Sequence, residues 1–379
     1  KRFRRDHDQV RERFKRRQFV DEADDCRQVS GGGGAQGVLL LHGGIVACQV
    51  TRLTAPRRAL PYSATMPDIK PHAYRPRRVA QSLFLPVRGL NYHAHVWGDA
   101  SLVTPERPPL LMMHGWMDVG ASFQFVVDEL AAAEGFERWV IAPDWRGFGR
   151  TETPKADTYW LPDYIADLDA LLDAFVPAAN LASIDLLGHS LGGNVVMNYA
   201  GLRPARIRRL VNLEGFGMPQ TRPQHAPKRL LQWLEELKKP QTMRTYGQVE
   251  EVAARLVKNN PLLSADKAAW LAPHWARLAA DGQWHIQGDP AHKRVSPYLY
   301  QVPEVLEVWK QITAPLLWMD GDQTDTSKWW GTRYPRAEFD ARLAVVQQVQ
   351  RVTLSPCGHM LHHDQPEALA QHLAGFLRA

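Results

Sequence analysis

Hydrophobic positions in residues 66–379 form short apolar runs that alternate with longer amphipathic stretches. A short apolar run bounded by turn residues is typical of a buried strand, and apolar residues at helical spacing predict an amphipathic helix. The first predicted element is a hairpin of Ser82–Val87 and Tyr92–Trp97. The predicted strands after it are Leu110–Met113, Trp139–Ala142, Ile184–Leu187, Leu210–Leu213, Leu316–Met319 and Val352–Leu354. The predicted helices are Ser122–Glu134, Tyr164–Phe175, Leu191–Leu202 and Pro366–Leu377.

Strands that alternate with helices predict an α/β fold with a mostly parallel, doubly wound sheet covered by helices on both faces. Residues 217–306 interrupt the alternation, because they contain amphipathic helical patterns and several tryptophans but no clear strand. The predicted helices there are Lys228–Lys239, Val249–Lys258 and Ala265–Leu278. We therefore predict a core of residues 66–216 and 307–379, with a helical cap inserted at 217–306.

The first 65 residues differ from the rest of the chain. They show no sustained period and hold 13 Lys and Arg against 7 Asp and Glu, a net charge of +6. The whole chain holds 46 and 40, also +6, so residues 66–379 are neutral overall. We predict that 1–65 is a disordered or spurious extension and that Met66 is the true start. We expect no nucleic-acid partner, because several acids are mixed into this basic tail. Nucleic-acid binding by the tail stays as an alternative, which predicts salt-sensitive binding that is lost when the tail is deleted.

Composition places the chain among ordinary globular proteins, with 45% hydrophobic and 23% charged residues. Its apolar runs are all shorter than the 18 residues of a membrane-spanning helix, so we expect no membrane span. The three cysteines form no CxxC pair. This favours a reducing, cytoplasmic location and argues against a disulfide framework or a structural zinc site. Oligomeric state is left open.

The strongest chemical signal is the pentad Gly188-His189-Ser190-Leu191-Gly192, which lies between a predicted strand and a predicted helix. A serine on a tight strand-to-helix turn needs small neighbours, and the turn exposes its hydroxyl next to the helix N-terminus. We predict that Ser190 is a nucleophile.

A serine hydroxyl needs a base to attack. His359 is the best candidate, because it lies between the last predicted strand and the final helix. His362 and His363 are nearby alternatives. The chain order of serine, acid and histidine is the one expected for such a site.

An acid must hold the histidine tautomer. The strand Leu316–Met319 is followed by three aspartates, and we favour Asp325 because it lies well beyond the strand end. Asp322 is an alternative. Glu214, which follows the strand Leu210–Leu213, is another, since an acid can also serve from that position.

The oxyanion of an acyl-transfer intermediate needs two backbone donors. One expected donor is the N–H of Leu191, directly after the serine. The other is the N–H of Trp116, in the loop after the strand Leu110–Met113, where Gly115 permits a close approach. The His114 side chain is expected to support this loop.

These motifs resemble the α/β-hydrolase superfamily over residues 77–379. His114-Gly115-Trp116 is similar to its oxyanion loop, the segment 144–151 to its structural loop after the fourth strand, the serine pentad to its nucleophile turn, and Gly358-His359 to its histidine loop. The resemblance implies the α/β-hydrolase fold, a helical cap and an acid four residues after a glycine, which matches Gly321 and Asp325. It also argues against the aspartate-nucleophile members, because Ser190 stands at that position.

We therefore expect a serine hydrolase that cleaves a carboxylic ester, including a lactone, of a small hydrophobic substrate, with no metal or organic cofactor. One alternative is hydrolysis of a carbon–carbon bond in a diketone-like substrate by the same residues. Another is a receptor that binds a small molecule without turnover.

Overall fold

The computed structural model describes residues 73–133, 136–175 and 183–378. The predictions for residues 1–65, including a start at Met66, lie outside the described residues and stay predictions.

The strands of the described residues are β1 Gln81–Val87, β2 Leu90–Trp97, β3 Leu110–Met113, β4 Val140–Pro143, β5 Ile184–His189, β6 Ile207–Leu213, β7 Thr245–Tyr246, β8 Ala276–Leu278, β9 Trp284–Ile286, β10 Leu316–Gly321 and β11 Val349–Leu354. Eight of them form the principal sheet, in the order β1-β2-β4-β3-β5-β6-β10-β11. Strands β1 and β2 form the predicted antiparallel hairpin, β2 pairs antiparallel with β4, and the other neighbours are parallel. The prediction of a mostly parallel sheet is confirmed.

Helices cover both faces of this sheet. The helices of the described residues, including α4, α5 and α6 in the segment 217–306, are α1 Gln124–Ala132, α2 Leu161–Phe175, α3 Leu191–Leu202, α4 Ala226–Leu237, α5 Val249–Asn259, α6 Ala265–Trp275, α7 Val302–Trp309, α8 Ser327–Trp330, α9 Arg336–Leu343, α10 Leu361–Asp364 and α11 Pro366–Arg378. Alternate residues of β10 enter opposite hydrophobic cores: Leu316 and Trp318 join the core containing α2 and α3, while Leu317 and Met319 join the one containing α1 and α11. Because both faces are buried, the strand reads as a continuous apolar run.

The segment 217–306 contains the three predicted helices as α4, α5 and α6, and also a small sheet that the sequence did not predict. Strands β7, β9 and β8 form it in that order, all antiparallel. The predicted helix Ala265–Leu278 ends at Trp275, two residues after Pro273. Proline donates no N–H to the helical ladder, and residues 276–278 pair with β9 instead.

The carboxyl ends of the parallel strands meet at one edge of the sheet, where sites form in such folds. Ser190 follows β5, Glu214 follows β6, and the loop with Asp322 and Asp325 follows β10. Among the described residues, no helix combines the length and apolar character needed to cross a bilayer.

Candidate active site

Ser190 occupies a strained turn between β5 and α3. Its φ is 51° and its ψ −112°, a positive-φ conformation that L-residues rarely adopt. The turn is fixed on both sides, because its N–H donates to the Leu213 carbonyl at 2.8 Å and its carbonyl accepts from Asn194 N at 3.0 Å. This geometry matches the strand-to-helix turn expected of Ser190, which places the hydroxyl at the start of a helix.

Glycines allow the turn to pack against the neighbouring strand. A Cβ on Gly192 would lie 2.1 Å from the Met113 carbonyl oxygen, and one on Gly188 would lie 2.4 Å from Gly192 C. Both distances are far below van der Waals contact, so neither position tolerates a side chain without a shift of backbone. The small residues at these two positions therefore follow from close packing, as the sequence argument required.

The structure brings His359 to Ser190. His359 Nε2 lies 3.0 Å from Ser190 Oγ, and its Nδ1 lies 2.5 Å from Glu214 Oε2. A carboxylate only accepts hydrogen bonds, so Nδ1 carries the proton and Nε2 presents a lone pair to the serine hydroxyl. The carboxyl group is fully buried, while 27% of the His359 side chain is exposed. These three side chains form a continuous chain of contacts from a buried acid to an accessible hydroxyl.

The turn after β6 aims Glu214 at the histidine. Glu214 has a φ of 53°, and its second carboxylate oxygen accepts from Gly321 N at 2.8 Å. The buried side chain of Asn212 holds the turn, because Asn212 Oδ1 accepts from Gly215 N at 2.7 Å. Sequence reasoning missed Asn212; a polar residue inside an apolar strand was the available signal.

Asp325, our favoured acid, does not reach His359 in the structure. It is exposed and accepts hydrogen bonds from Ser327 N at 3.0 Å and Ser327 Oγ at 2.5 Å, which lower the pKa of its carboxyl. Asp322 is exposed too, and it accepts from Ser355 Oγ and Cys357 N. The contact expected of Asp325 is thus made by Glu214, because Asp325 is bound to Ser327 in its own loop and Asp322 is bound to the loop after β11.

The predicted oxyanion loop lies against Ser190. A Cβ on Gly115 would be 3.2 Å from Ser190 Cβ, so the backbone before Trp116 passes at contact distance. The first turn of α3, which begins at Leu191, leaves its N–H groups without intrahelical acceptors. His114 supports the loop, since its Nε2 accepts from Trp145 N at 2.8 Å and its Nδ1 faces the Gly115 carbonyl at 2.8 Å.

His189 and Asp364 support the histidine loop. His189 Nε2 donates to the His359 carbonyl at 2.7 Å, and burial holds the pKa of His189 well below its usual range, so this imidazole is neutral. Asp364 accepts from Gly358 N at 2.8 Å and from Asn260 Nδ2 at 2.6 Å, which connects the end of α5 to the loop. No local pattern in the sequence indicated this connection, because it joins residues 104 positions apart.

One exposed tryptophan contacts the histidine, and another directly follows the glycine that packs against the serine. Trp329 on α8 packs edge-on against the His359 ring, with 4.6 Å between ring centroids, and is 43% exposed. Trp116 is 54% exposed. Large apolar side chains left partly in solvent beside a polar site favour a ligand that covers them.

Comparison with known proteins agrees with this architecture. A family model described as the alpha/beta hydrolase fold matches residues 108–366. The chain is 27% identical over 282 residues to a cis-3-alkyl-4-alkyloxetan-2-one decarboxylase of Shewanella oneidensis, covering 71% of this chain and 81% of that protein. It is 34% identical over 113 residues to a 2-hydroxy-6-oxo-2,4-heptadienoate hydrolase of Pseudomonas putida, covering 29% of this chain and 38% of that protein.

Among solved structures, the thioesterase domain from the curacin biosynthetic pathway is 25% identical, with a TM-score of 0.66. The match covers 78% of this chain and 99% of that domain. The predictions of the fold and of a hydrolase are confirmed at this level. Since the family model matches more than half of the whole sequence, the chain belongs to the α/β hydrolase fold family.

Proposed function

We propose that the chain is a serine hydrolase that cleaves a carboxylic ester of a small hydrophobic substrate through an acyl-enzyme. The observation that carries this proposal is the contact chain from buried Glu214 through His359 to Ser190 Oγ. Its three members are those of a nucleophile, a base and an orienting acid, recognised by geometry and not by sequence position. Glu214 takes the role that the sequence argument assigned to Asp325.

In this mechanism Ser190 Oγ attacks the substrate carbonyl while His359 Nε2 accepts the hydroxyl proton. Glu214 keeps the proton on His359 Nδ1 before attack and stabilises the imidazolium afterwards. His359 then protonates the leaving alcohol. Water attacks the acyl-enzyme with His359 again as base, which releases the acid and restores the serine. These steps need no metal or organic cofactor.

The backbone N–H groups of Leu191 and Trp116 are the proposed donors to the oxyanion. Leu191 N opens α3, where the helix dipole also favours negative charge. Trp116 N follows Gly115, whose backbone runs in contact with the serine. Removal of one such donor typically costs about 10²–10³-fold in turnover, so both are expected to contribute strongly.

The hydrophobic part of the substrate is argued from two exposed tryptophans: Trp329 packs against the His359 ring, and Trp116 directly follows Gly115. The name of the Shewanella relative contains an oxetan-2-one, which is a four-membered cyclic ester. Lactones therefore belong among the first substrates to test, next to open-chain esters.

A second candidate is hydrolysis of a carbon–carbon bond next to a ketone. The Pseudomonas putida relative, whose name describes a 2-hydroxy-6-oxo-dienoate hydrolase, favours this reaction. Its match spans less than a third of this chain, which is why ester cleavage stands first.

The test is turnover of p-nitrophenyl esters of increasing chain length, of β-lactones and of a ring-cleavage diketone, in wild type and Ser190→Ala. A fluorophosphonate probe is applied to both proteins. Probe labelling at Ser190 together with serine-dependent ester or lactone turnover supports the proposal. Labelling with turnover of the diketone alone supports the second candidate. Neither labelling nor turnover in folded protein contradicts both and favours a binding protein.

A further inference from the structure

A buried polar cluster lies next to the active site and takes no part in the proposed reaction. It consists of Asp118, His362 and His363, which are 3%, 0% and 3% exposed. One ligand-type atom from each lies within 4.8 Å of the others. Asp118 follows Trp116 by two residues and His362 follows His359 by three, so the cluster joins the oxyanion loop to the histidine loop.

Three polar atoms of this cluster have no hydrogen-bond partner among the described residues: Asp118 Oδ2 and both ring nitrogens of His362. A buried polar atom without a partner costs free energy, and native proteins rarely tolerate several together. The other carboxylate oxygen is satisfied, because Asp118 Oδ1 accepts from Ser122 Oγ and from Trp275 Nε1. On Asp118 the deficit is therefore confined to the oxygen that faces His362.

The spacing of these atoms fits a shared cation. Asp118 Oδ2 and His362 Nε2 lie 3.4 Å apart, which is within ion-pair distance but too long for a well-formed hydrogen bond. Two ligands at about 2.1 Å from a tetrahedral zinc ion are about 3.4 Å apart. His363 is the third proposed ligand, and Ser122 orients its ring. Ser122 Oγ lies 3.0 Å from His363 Nε2 and donates its own proton to Asp118. Such hydrogen bonds from a neighbouring group keep metal ligands oriented.

A second buried cluster, whose ligand-type atoms also lie within 4.8 Å of one another, provides an internal control. It consists of His93, His95 and Asp144. Here His93 is saturated, with Nδ1 at 2.7 Å from Asp144 Oδ2 and Nε2 at 2.5 Å from Ser82 Oγ. Asp144 also accepts from two backbone N–H groups, and the Arg150 guanidinium lies 3.4 Å from His93 Nε2. The hydrogen bonds of His93 and Asp144, together with the positive charge of Arg150, therefore disfavour cation binding at this second cluster.

We propose that Asp118, His362 and His363 bind one divalent transition-metal ion of the zinc type. Two imidazoles and one carboxylate suit zinc and cobalt, and three protein ligands leave the fourth position to water. The ion binds Asp118 Oδ2 and His362 Nε2, two of the three unpartnered atoms, and ties together the two loops that carry the oxyanion donor and the base. It lies outside the proposed proton path, so the site is independent of the substrate and of the proposed reaction.

The test uses the full chain, freed of metal by chelation and carrying no histidine tag. Co²⁺ is titrated while its visible absorption is recorded, Zn²⁺ is used to displace it, and the stoichiometry is measured by calorimetry. The expected result is one Co²⁺ per chain with the intense spectrum of a tetrahedral site, displaced by Zn²⁺. A melting temperature raised by Zn²⁺ is expected as well, since a ligand that binds only the folded state stabilises it.

Asp118→Asn and His362→Gln are expected to weaken Co²⁺ binding by more than about 100-fold. Loss of a residue that only hydrogen-bonds to a metal ligand already costs about 10–100-fold, and these variants remove a ligand itself. In Asp118→Asn the introduced amide oxygen can still accept from Ser122, so that variant is the safer of the two for folding. His95→Gln, in the saturated cluster, is the matched control and is expected to bind as wild type does. Folding of each variant is checked by thermal unfolding before titration.

Folded wild-type protein that takes up no Co²⁺ at millimolar concentration overturns the proposal. So does a site whose affinity is unchanged in Asp118→Asn, or lost equally in His95→Gln. A weak octahedral spectrum with several ions per chain would indicate surface histidines and also overturns it. Loss of ester turnover in Ser190→Ala leaves this result untouched, which separates the metal site from the proposed function.

Discussion

The loops after β6 and β10 both place carboxylates at the same edge of the sheet, yet the structure uses them differently. The strands are parallel neighbours, with Leu213 opposite Met319, and Glu214 N donates to the Met319 carbonyl at 3.1 Å. Glu214 is buried in a left-handed turn and points at His359. Asp322 and Asp325 are exposed; Asp325 bonds to Ser327 in its own loop, and Asp322 bonds to Ser355 and Cys357 in the loop after β11.

The difference lies in which partners are available locally. Asp325 has the Ser327 hydroxyl and N–H two residues ahead, the geometry of a turn cap, so its carboxylate is satisfied without reaching across the site. Glu214 has one oxygen held by Gly321 N, and its other oxygen faces the histidine. Glu214 can orient the histidine because it is buried and one of its carboxylate oxygens is held by Gly321 N, so that the other oxygen faces only His359.

The largest effect is expected from Glu214→Gln. The introduced glutamine can keep its carbonyl on Gly321 N and turn its amide towards His359, where an N–H donor forces the proton from Nδ1 to Nε2. The histidine then has no lone pair for Ser190. By analogy with the loss of an orienting acid in serine proteases, kcat is expected to fall by about 10³–10⁴-fold, measured with the best p-nitrophenyl ester.

The melting temperature of Glu214→Gln is expected to stay at or above that of wild type, because the variant removes a buried charge and keeps the hydrogen bond to Gly321. A loss of turnover together with a large loss of stability would mean that the side chain is mainly structural. Turnover within tenfold of wild type would contradict the assignment of Glu214 as the orienting acid.

A smaller effect is expected from Asn212→Ala, which keeps Glu214 but removes the side chain that holds its turn. Gly215 N–H loses its buried acceptor, at a cost of about 1–3 kcal/mol in unfolding free energy. Because Glu214 is then less well aimed, kcat is expected to fall by about 10–100-fold, with little change in KM.

Asn198→Ala is the control for Asn212→Ala. It also removes a buried asparagine, but one whose amide only donates back to the Asn194 carbonyl within α3. Its turnover is expected to stay within about threefold of wild type, since it does not touch the Glu214 turn. Equal losses in the two variants would argue against a specific role of Asn212.

The fold and the pairing of Ser190 with His359 could be predicted from the sequence, because each depends on a pattern of residues that are close together in the chain. The apolar runs of β5 and β10 and the small residues around Ser190 carry their structural reason within a few positions. The acid does not. Both Glu214 and Asp325 follow an apolar strand and lie between serine and histidine in the chain. Only the hydrogen bonds from Gly321, 107 residues away, and from Ser327, two residues away, distinguish them.

The small sheet of β7, β8 and β9 was unpredictable for a related reason. Its strands are two or three residues long, which is too short for an alternating pattern to be seen. Pro273 was the one local signal that the predicted helix would end before Leu278.

Asp322→Asn is expected to have a small, pH-dependent effect on stability and none on turnover. Hydrogen bonds from Ser355 and Cys357 hold the pKa of Asp322 below its ordinary 3.8. A lowered pKa in the folded state stabilises the protein above the ordinary value, and this contribution is lost as the pH falls through the lowered pKa. Wild type is therefore expected to melt slightly above the variant at pH 7, by about 2 °C or less. Thermal unfolding at falling pH should show the gap closing, and a gap that widens in acid would contradict this account.

The smallest effect is expected from Asp325→Asn, which should leave kcat/KM within about twofold of wild type, because its contacts are confined to Ser327. The sharper measurement is the double variant with Glu214→Gln. If the loop after β10 could supply the acid when Glu214 fails, the residual activity of Glu214→Gln would depend on Asp325, and the double variant would be less active than either single one. We expect the double variant to match Glu214→Gln, since sites without a shared partner act additively. A further loss of tenfold or more would mean that Asp325 leaves its turn in the working enzyme and reaches His359 after all.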